Sequence, residues 1–200
     1  MNSSLCHFDE YIDELAATID APKHIVAWSM GGLIAIALAR RYQHLVEKIC
    51  FICSVPNFVS QNNKYAGIDY AWFETFSQQY QQQPIRMLKK FLALQVKDDE
   101  FAKATLIELK QACQFDGYNL TECGHGLELL RTLNFMTDLS ELNCDTIFIQ
   151  GGQDHVVNKQ ASERAATLSN SQFYVLEQAA HVPHISHANQ TAQIIREFFN

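Results

Sequence analysis

Two hundred residues, 48% of them hydrophobic, suit one domain with a sizeable core. A net charge of −7 argues against nucleic acid as a partner, no apolar run reaches the length of a membrane span, and the polar start Met1-Asn2-Ser3-Ser4 lacks a secretory apolar region. Cysteines at 6, 50, 53, 113, 123 and 144 are scattered as reduced thiols of a cytoplasmic protein would be, not clustered as a disulfide framework.

Phe8, Ile12, Leu15 and Ile19 recur every three or four residues and predict an amphipathic helix over about residues 8–20, ended by Asp20-Ala21-Pro22. His24 to Trp28 reads as a strand, and Leu33 to Ala39 as the body of a helix reaching about Arg41. Between them stands Ala27-Trp28-Ser29-Met30-Gly31-Gly32, a tight strand-to-helix turn with serine at its apex. A serine hydroxyl is a poor nucleophile where it is merely exposed. Such a turn lifts Oγ above the sheet edge, within reach of a histidine, and aims the Met30 N–H at the oxyanion that forms on attack. Small residues two before and two after the serine, Ala27 and Gly31, let the turn close without a Cβ clash, which makes this a G-x-S-x-G elbow with alanine in first place. Taken alone, the hexamer fits an N-capping serine equally well.

Lys48 to Cys53 is the next strand and completes a βαβ unit. Cys50 and Cys53 match C-x-x-C, but alternation along a strand would turn them to opposite sides, which argues against a redox pair. Residues 57–135 then break the alternation with a helical, glutamine-rich pattern and no convincing strand; Pro84 to Val96 is its clearest helix. An all-helical insertion here predicts a lid over the site, with plain helical packing as the alternative. Residues 86–110 carry six basic side chains against four acidic ones, a local charge of +2. Arg86, Lys90 and Lys97 are expected to share one helix face opposite Leu88 and Leu92, either as a solvated stripe or as a dock for an acidic partner.

Alternation resumes with strand Thr146–Ile149, a helix from about Lys159 to Leu168, strand Gln172–Leu176 and a last helix from about Asn189 to Phe199. Four short parallel strands with helices between them make an α/β fold. Asp154 follows the turn Gln150-Gly151-Gly152-Gln153, and His181 follows Glu177-Gln178-Ala179-Ala180 after the last strand. Ser29, Asp154 and His181 thus stand in the Ser…Asp…His order the elbow demands, each past the carboxyl end of a strand. Singly, Asp154 also fits a turn or cap and His181 a surface loop. His155 is a weaker candidate base. His181, His184 and His187 invite a metal reading, against which Pro183 and the loop setting argue.

Four segments fall in the order of a known family: Trp28-Ser29-Met30-Gly31-Gly32-Leu33, Phe91-Leu92-Ala93-Leu94-Gln95, Gly126-Leu127-Glu128-Leu129-Leu130 and Ala179-Ala180-His181-Val182-Pro183-His184-Ile185-Ser186-His187. From about residue 8 onward the chain resembles the pimeloyl-acyl-carrier-protein methyl ester esterases of biotin synthesis, α/β-hydrolases with a helical cap. The elbow is shared by many hydrolases; the second and fourth segments are much narrower. The resemblance implies one α/β-hydrolase domain, with its core at about 1–56 and 136–200 and its cap at about 57–135. It implies Ser29 as nucleophile, Asp154 as acid and His181 as base, with Trp28 and Met30 at the oxyanion and substrate site. It implies that Phe91, Leu92, Ala93, Leu94 and Gln95 line an acyl pocket. Arg86, Lys90 and Lys103 match the basic cap residues that hold the acidic acyl-carrier protein, whose methyl-ester acyl chain is the implied substrate. No cofactor, metal, membrane or nucleic acid enters, and the setting is cytoplasmic. Ala27 departs from the usual glycine, and His184 stands where an aromatic or aliphatic residue is common. The family carries further strands and a His-Gly loop ahead of this point; without those strands the serine strand is expected at one edge of a four-stranded parallel sheet, and without that loop's oxyanion donor turnover is expected to be weak or nil. The alternatives are another α/β-hydrolase acting on small esters, lactones or C–C bonds, or an inactive truncated remnant.

Overall fold

The computed structural model describes residues 3–60, 67–113 and 120–200. Helix α1, Ser3–Ala17, turns Phe8, Ile12 and Ala16 into the core. It stops short of the predicted end because the Thr18 and Ile19 amides close tight turns onto the Leu15 and Ala16 carbonyls. Strand β1, Lys23–Trp28, leads through the elbow into α2, Gly31–Arg41, and a short 3₁₀ turn feeds β2, Val46–Ile52. The second half holds α7, Met136–Ser140, β5, Asp145–Gly151, α8, Lys159–Leu168, β6, Gln172–Leu176, α9, Pro183–Ser186, and α10, Ala188–Phe199 (α3 to α6 lie between, below). Helix α8 starts where Asn158 caps the Gln160 amide through its side chain.

The sheet order is β1-β2-β5-β6 and every pairing is parallel, with the serine strand at one edge as expected. Register puts Ala27 beside Phe51, Phe51 beside Phe148, and Phe148 beside Phe173. The rings of Phe51 and Phe148 stack 4.7 Å apart on one face, over Leu33 and Ile36 of α2 and Ala165 and Ala166 of α8. The other face carries Cys50, Ile52, Ile147 and Ile149 against Ile194, Ile195 and Phe198 of α10. Both faces are therefore covered, which a parallel sheet requires. The free edge of β1 leaves Val26 49% exposed.

Residues 57–135 are not wholly helical. Val59–Ser60 (β3) and Ile68–Asp69 (β4) form a two-residue parallel ribbon, too short to leave an alternating pattern in the sequence. The ribbon does not join the main sheet. The helices here are α3, Tyr70–Gln82, α4, Pro84–Gln95, α5, Ala102–Ala112, and α6, Leu120–Thr132. Among the described residues no helix is long and apolar enough to cross a membrane.

Candidate active site

Ser29 adopts φ 52°, a left-handed conformation that costs a non-glycine residue energy unless its surroundings enforce it. They do. Its N–H donates to the Ile52 carbonyl at 2.9 Å, extending the β1–β2 ladder by one rung, and its carbonyl accepts from Ser54 Oγ at 2.7 Å. Met30 is already helical, with φ −55° and ψ −26°, so the serine stands over the N-terminus of α2 and its unpaired amides. The expected need for a small residue at Gly31 is not met: an added Cβ there would find nothing within 4 Å among the described residues. The tight position is Gly32, where a Cβ would run into Ser54 Oγ and lie 3.2 Å from the Phe51 ring.

The structure brings Ser29, His181 and Asp154 together. Ser29 Oγ lies 2.9 Å from His181 Nε2, and His181 Nδ1 lies 2.8 Å from Asp154 Oδ2. The side chains of His181 and Asp154 are both fully buried. A carboxylate only accepts, so Nδ1 carries the proton and Nε2 is left to accept from the serine hydroxyl. Asp154 Oδ1 takes the Val156 and Val157 amides at 2.7 and 2.9 Å, while Oδ2 takes Gln150 Nε2 at 3.0 Å besides the imidazole. Four donors satisfy a charge that is out of contact with water.

Gln150 is a member that sequence reasoning missed. It is wholly buried, and its Oε1 accepts from Ser162 Oγ at 2.7 Å, which fixes the amide so that Nε2 faces Asp154. Its signal was a glutamine inside an otherwise apolar buried strand. Trp28 lines the cavity, and its indole N–H also donates to the His181 carbonyl at 2.8 Å. Gly151 lets the end of β5 pass under the histidine loop, since a Cβ there would collide with the Ala180 carbonyl and lie 2.7 Å from that of Ala179.

Above Ser29 opens a cavity of about 580 Å³, walled by Phe73, Phe76, Leu88, Phe91, Leu94, Leu127 and Leu130. Of the five residues Phe91 to Gln95, only Phe91 and Leu94 line it. Leu92 packs instead with Val96, Leu109 and Val182, Ala93 is exposed, and Gln95 is buried elsewhere. A helix turns consecutive residues in different directions, so one contiguous segment cannot all face one pocket. Leu88, three residues before Phe91, completes the stripe. Arg86 and Lys90 are exposed along a groove of about 290 Å³ with Gln79, Gln82 and Gln83. Lys103 is exposed on α5 and lines no part of that groove. Lys97 does not continue their stripe, because α4 ends at Gln95.

The three histidines do not converge. His184 lies 5.0 Å from the Trp28 ring, with its Nδ1 buried and unpartnered among the described residues. Burial, with the nearby His181 adding to it, pushes His184 down to about 4. His187 faces Ser186 at 2.9 Å and Glu100 at 3.4 Å, and His155 pairs with Asp98 at 2.7 Å. Among the described residues the one group with metal-ligand spacing is Cys53, Asp154 and His181, which is the hydrogen-bonded site itself. Cys53 shares an apolar cluster with Cys50: at φ 45° it has left the strand, so strict alternation does not separate the two. Both are free and buried; burial raises the Cys50 thiol to about 12 and, with the Asp154 charge adding to it, raises Cys53 as well.

The family model for the alpha/beta hydrolase fold matches residues 3–188. The chain is 28% identical over 200 residues to the biotin biosynthesis bifunctional protein BioHC of Teredinibacter turnerae, covering 95% of this chain but only 35% of that protein. It is 28% identical over 191 residues to the pimeloyl-[acyl-carrier protein] methyl ester esterase of Aeromonas hydrophila, covering 93% of this chain and 74% of that one. A bromoperoxidase from Bacillus anthracis superposes with a TM-score of 0.83 at 19% identity, over 96% of this chain and 72% of its own, a likeness of fold alone.

Proposed function

The chain belongs to the alpha/beta hydrolase family, and from that premise we propose that it is a serine carboxylesterase cleaving the methyl ester of an acyl chain held on an acyl-carrier protein. One observation carries the reading. Ser29, His181 and Asp154 form an unbroken relay, at 2.9 and 2.8 Å, that opens on an apolar cavity of about 580 Å³. In this reading Ser29 is the nucleophile, His181 the base and Asp154 the acid. Residues 136–200 and 1–56 form the core, and 57–135 form the cap. Phe91 and Leu94 hold the alkyl chain, and exposed Arg86, Lys90 and Lys103 meet the acidic carrier. The enzyme acts in the cytoplasm and needs no cofactor.

His181 Nε2 takes the hydroxyl proton as Ser29 Oγ bonds to the ester carbonyl carbon and the C=O pair moves onto oxygen. The oxyanion settles at the N-terminus of α2, on the Met30 N–H. Its collapse breaks the C–O bond to the methoxy group, which leaves as methanol with the proton from His181. Water then attacks the acyl-serine with His181 again as base, releasing the free acid and Ser29. Asp154 holds the imidazole tautomer and stabilises the imidazolium at both steps.

The test is hydrolysis of p-nitrophenyl butyrate and methanol release from a carrier-bound methyl ester, with Ser29→Ala beside the native chain. The expected result is activity on both that Ser29→Ala abolishes, with a fluorophosphonate adduct at Ser29 only in the native chain. Activity on the small ester alone overturns the carrier substrate. No adduct and no hydrolysis overturn the esterase.

A further inference from the structure

His181 sits on a loop after β6, yet its backbone is not held by β6. The corner between α4 and α5 holds it. The His181 N–H donates to the Gln95 carbonyl at 3.0 Å, at the last turn of α4. The preceding amide, Ala180 N–H, donates to Asp99 Oδ2 at 2.7 Å, and Ser186 Oγ donates to the same oxygen at 2.8 Å. Asp99 Oδ1 takes the Phe101 amide at 2.8 Å, and the Glu100 amide reaches the Gln178 carbonyl at 2.9 Å. Asp99 is 6% exposed and lies outside the cavity lining.

A buried carboxylate is costly unless its oxygens are satisfied; here Oδ1 serves its own corner through Phe101, while Oδ2 takes donors from both sides of His181, Ala180 before it and Ser186 after it. Two consecutive amides, 180 and 181, donate into one corner, while the Trp28 indole N–H fixes the His181 carbonyl from the other side. Both peptide groups flanking the His181 Cα are thus pinned, leaving the imidazole only its side-chain torsions, which Ser29 and Asp154 settle. We propose that Asp99 is the positioning residue for the general base: through Ala180 and Ser186 it sets where His181 stands over Ser29, so the corner after α4 governs the alignment of the triad. This rests on the reading of Ser29 as nucleophile. It has a consequence for substrate: Phe91 and Leu94, which face the acyl cavity, sit on the helix whose last turn holds the His181 amide.

The experiment compares Asp99→Asn and Asp99→Leu with the native chain, each checked for folding by circular dichroism and thermal melting. Asn keeps the shape with one acceptor oxygen and is the milder change; Leu keeps the approximate volume with none and leaves the Ala180, Ser186 and Phe101 donors without their acceptor. Both should lower kcat on p-nitrophenyl butyrate with little change in KM, Asn by roughly 10-fold and Leu by roughly 100-fold, the scale of a base displaced by about 1 Å. The rate of fluorophosphonate labelling at Ser29 should fall in step. The low-field proton resonance of the His181–Asp154 hydrogen bond, read without turnover, should weaken or shift in both. Folded variants with native kcat, labelling and proton resonance overturn the assignment while leaving the esterase in place. Failure of both variants to fold also overturns it, making Asp99 a residue of stability alone. If Ser29→Ala retains hydrolysis, the esterase reading fails instead, and the proton resonance still decides the role of Asp99.

Discussion

Two layers of this molecule meet at Ser29 and are built on opposite terms. In the lower one, at the carboxyl ends of β1, β5 and β6, polar atoms are fixed one by one. Thr146 to Gly151 are all buried, and Asp154 has four donors of its own. In the upper one, α3, α4 and α6 offer aromatic and aliphatic side chains to a cavity, and no residue of α6 is buried. Directional bonds fix reacting atoms to fractions of an ångström; apolar walls fix only shape and volume. Damage below should therefore appear in kcat, and damage above in the choice of acyl chain.

The largest effect should come from the lower layer. Asp154→Asn keeps size and burial but turns a pure acceptor into a group that stabilises the wrong imidazole tautomer. The expected loss in kcat is about 10⁴-fold at unchanged fold and nearly unchanged KM. Steady-state kinetics with a melting curve check it, and a loss confined to KM would erase the distinction between the layers.

The next effect is on stability. His184 is held near 4 in the folded chain against an ordinary histidine value of 6.5. Between those values the unfolded chain binds a proton that the folded chain does not, so stability rises with pH in that window. The contribution is complete above about 6.5 and is lost as pH falls toward 4, on the order of 3 kcal/mol in all. Urea unfolding from pH 4 to 7.5 should show this slope, and His184→Phe should flatten it. An unchanged slope in that variant would place the proton uptake elsewhere.

How much of each layer was legible in the sequence follows the same division. The strands, and helix α8, were readable because their patterns are local; β6 and α8 form over the spans expected. That Ser29, Asp154 and His181 come together is readable because chain order and a strand-to-helix turn are also local signals. Gln150, Asp99 and the Trp28 indole were not, since each acts through a partner fixed only by folding: Asp99 lies 81 positions from the Ala180 amide it holds. In the upper layer the resemblance marks residues 91–95 as one contiguous segment, but the helix sends its members in different directions and only Phe91 and Leu94 reach the cavity. The β3–β4 ribbon, two residues a side, is below what periodicity resolves.

Phe91→Ala tests the upper layer directly. The ring meets Phe76 edge-on, 6.1 Å between centroids, and walls the cavity. Its removal should lower kcat/KM for a p-nitrophenyl ester whose chain reaches it by roughly 10- to 100-fold, through KM. Acetyl ester hydrolysis should hardly change. Equal losses on long and short chains would mean that α4 acts on the triad through the Gln95 contact rather than on the chain.

The smallest effect belongs to the rim. Arg86 and Lys90 are exposed, and Arg86 already donates to Gln83 Oε1 at 2.8 Å, so neither adds much to folding. If they meet an acidic carrier, their work is to raise the encounter rate, which depends on unscreened charge. Reversing both, Arg86→Glu with Lys90→Glu, should lower kcat/KM on the carrier-bound ester several-fold in dilute buffer. The difference should fade toward about 1 M salt, where the screening length is about 3 Å. The same enzyme should cleave a free p-nitrophenyl ester at the native rate, because neither side chain touches the cavity above Ser29. Lys103→Glu, on a different helix and outside their groove, separates two possibilities. An added loss extends the docking face across α5, and no added loss confines it to the start of α4. A double reversal with no effect on the carrier-bound ester at low salt would return the stripe to ordinary solvated surface and move carrier recognition off the upper layer altogether.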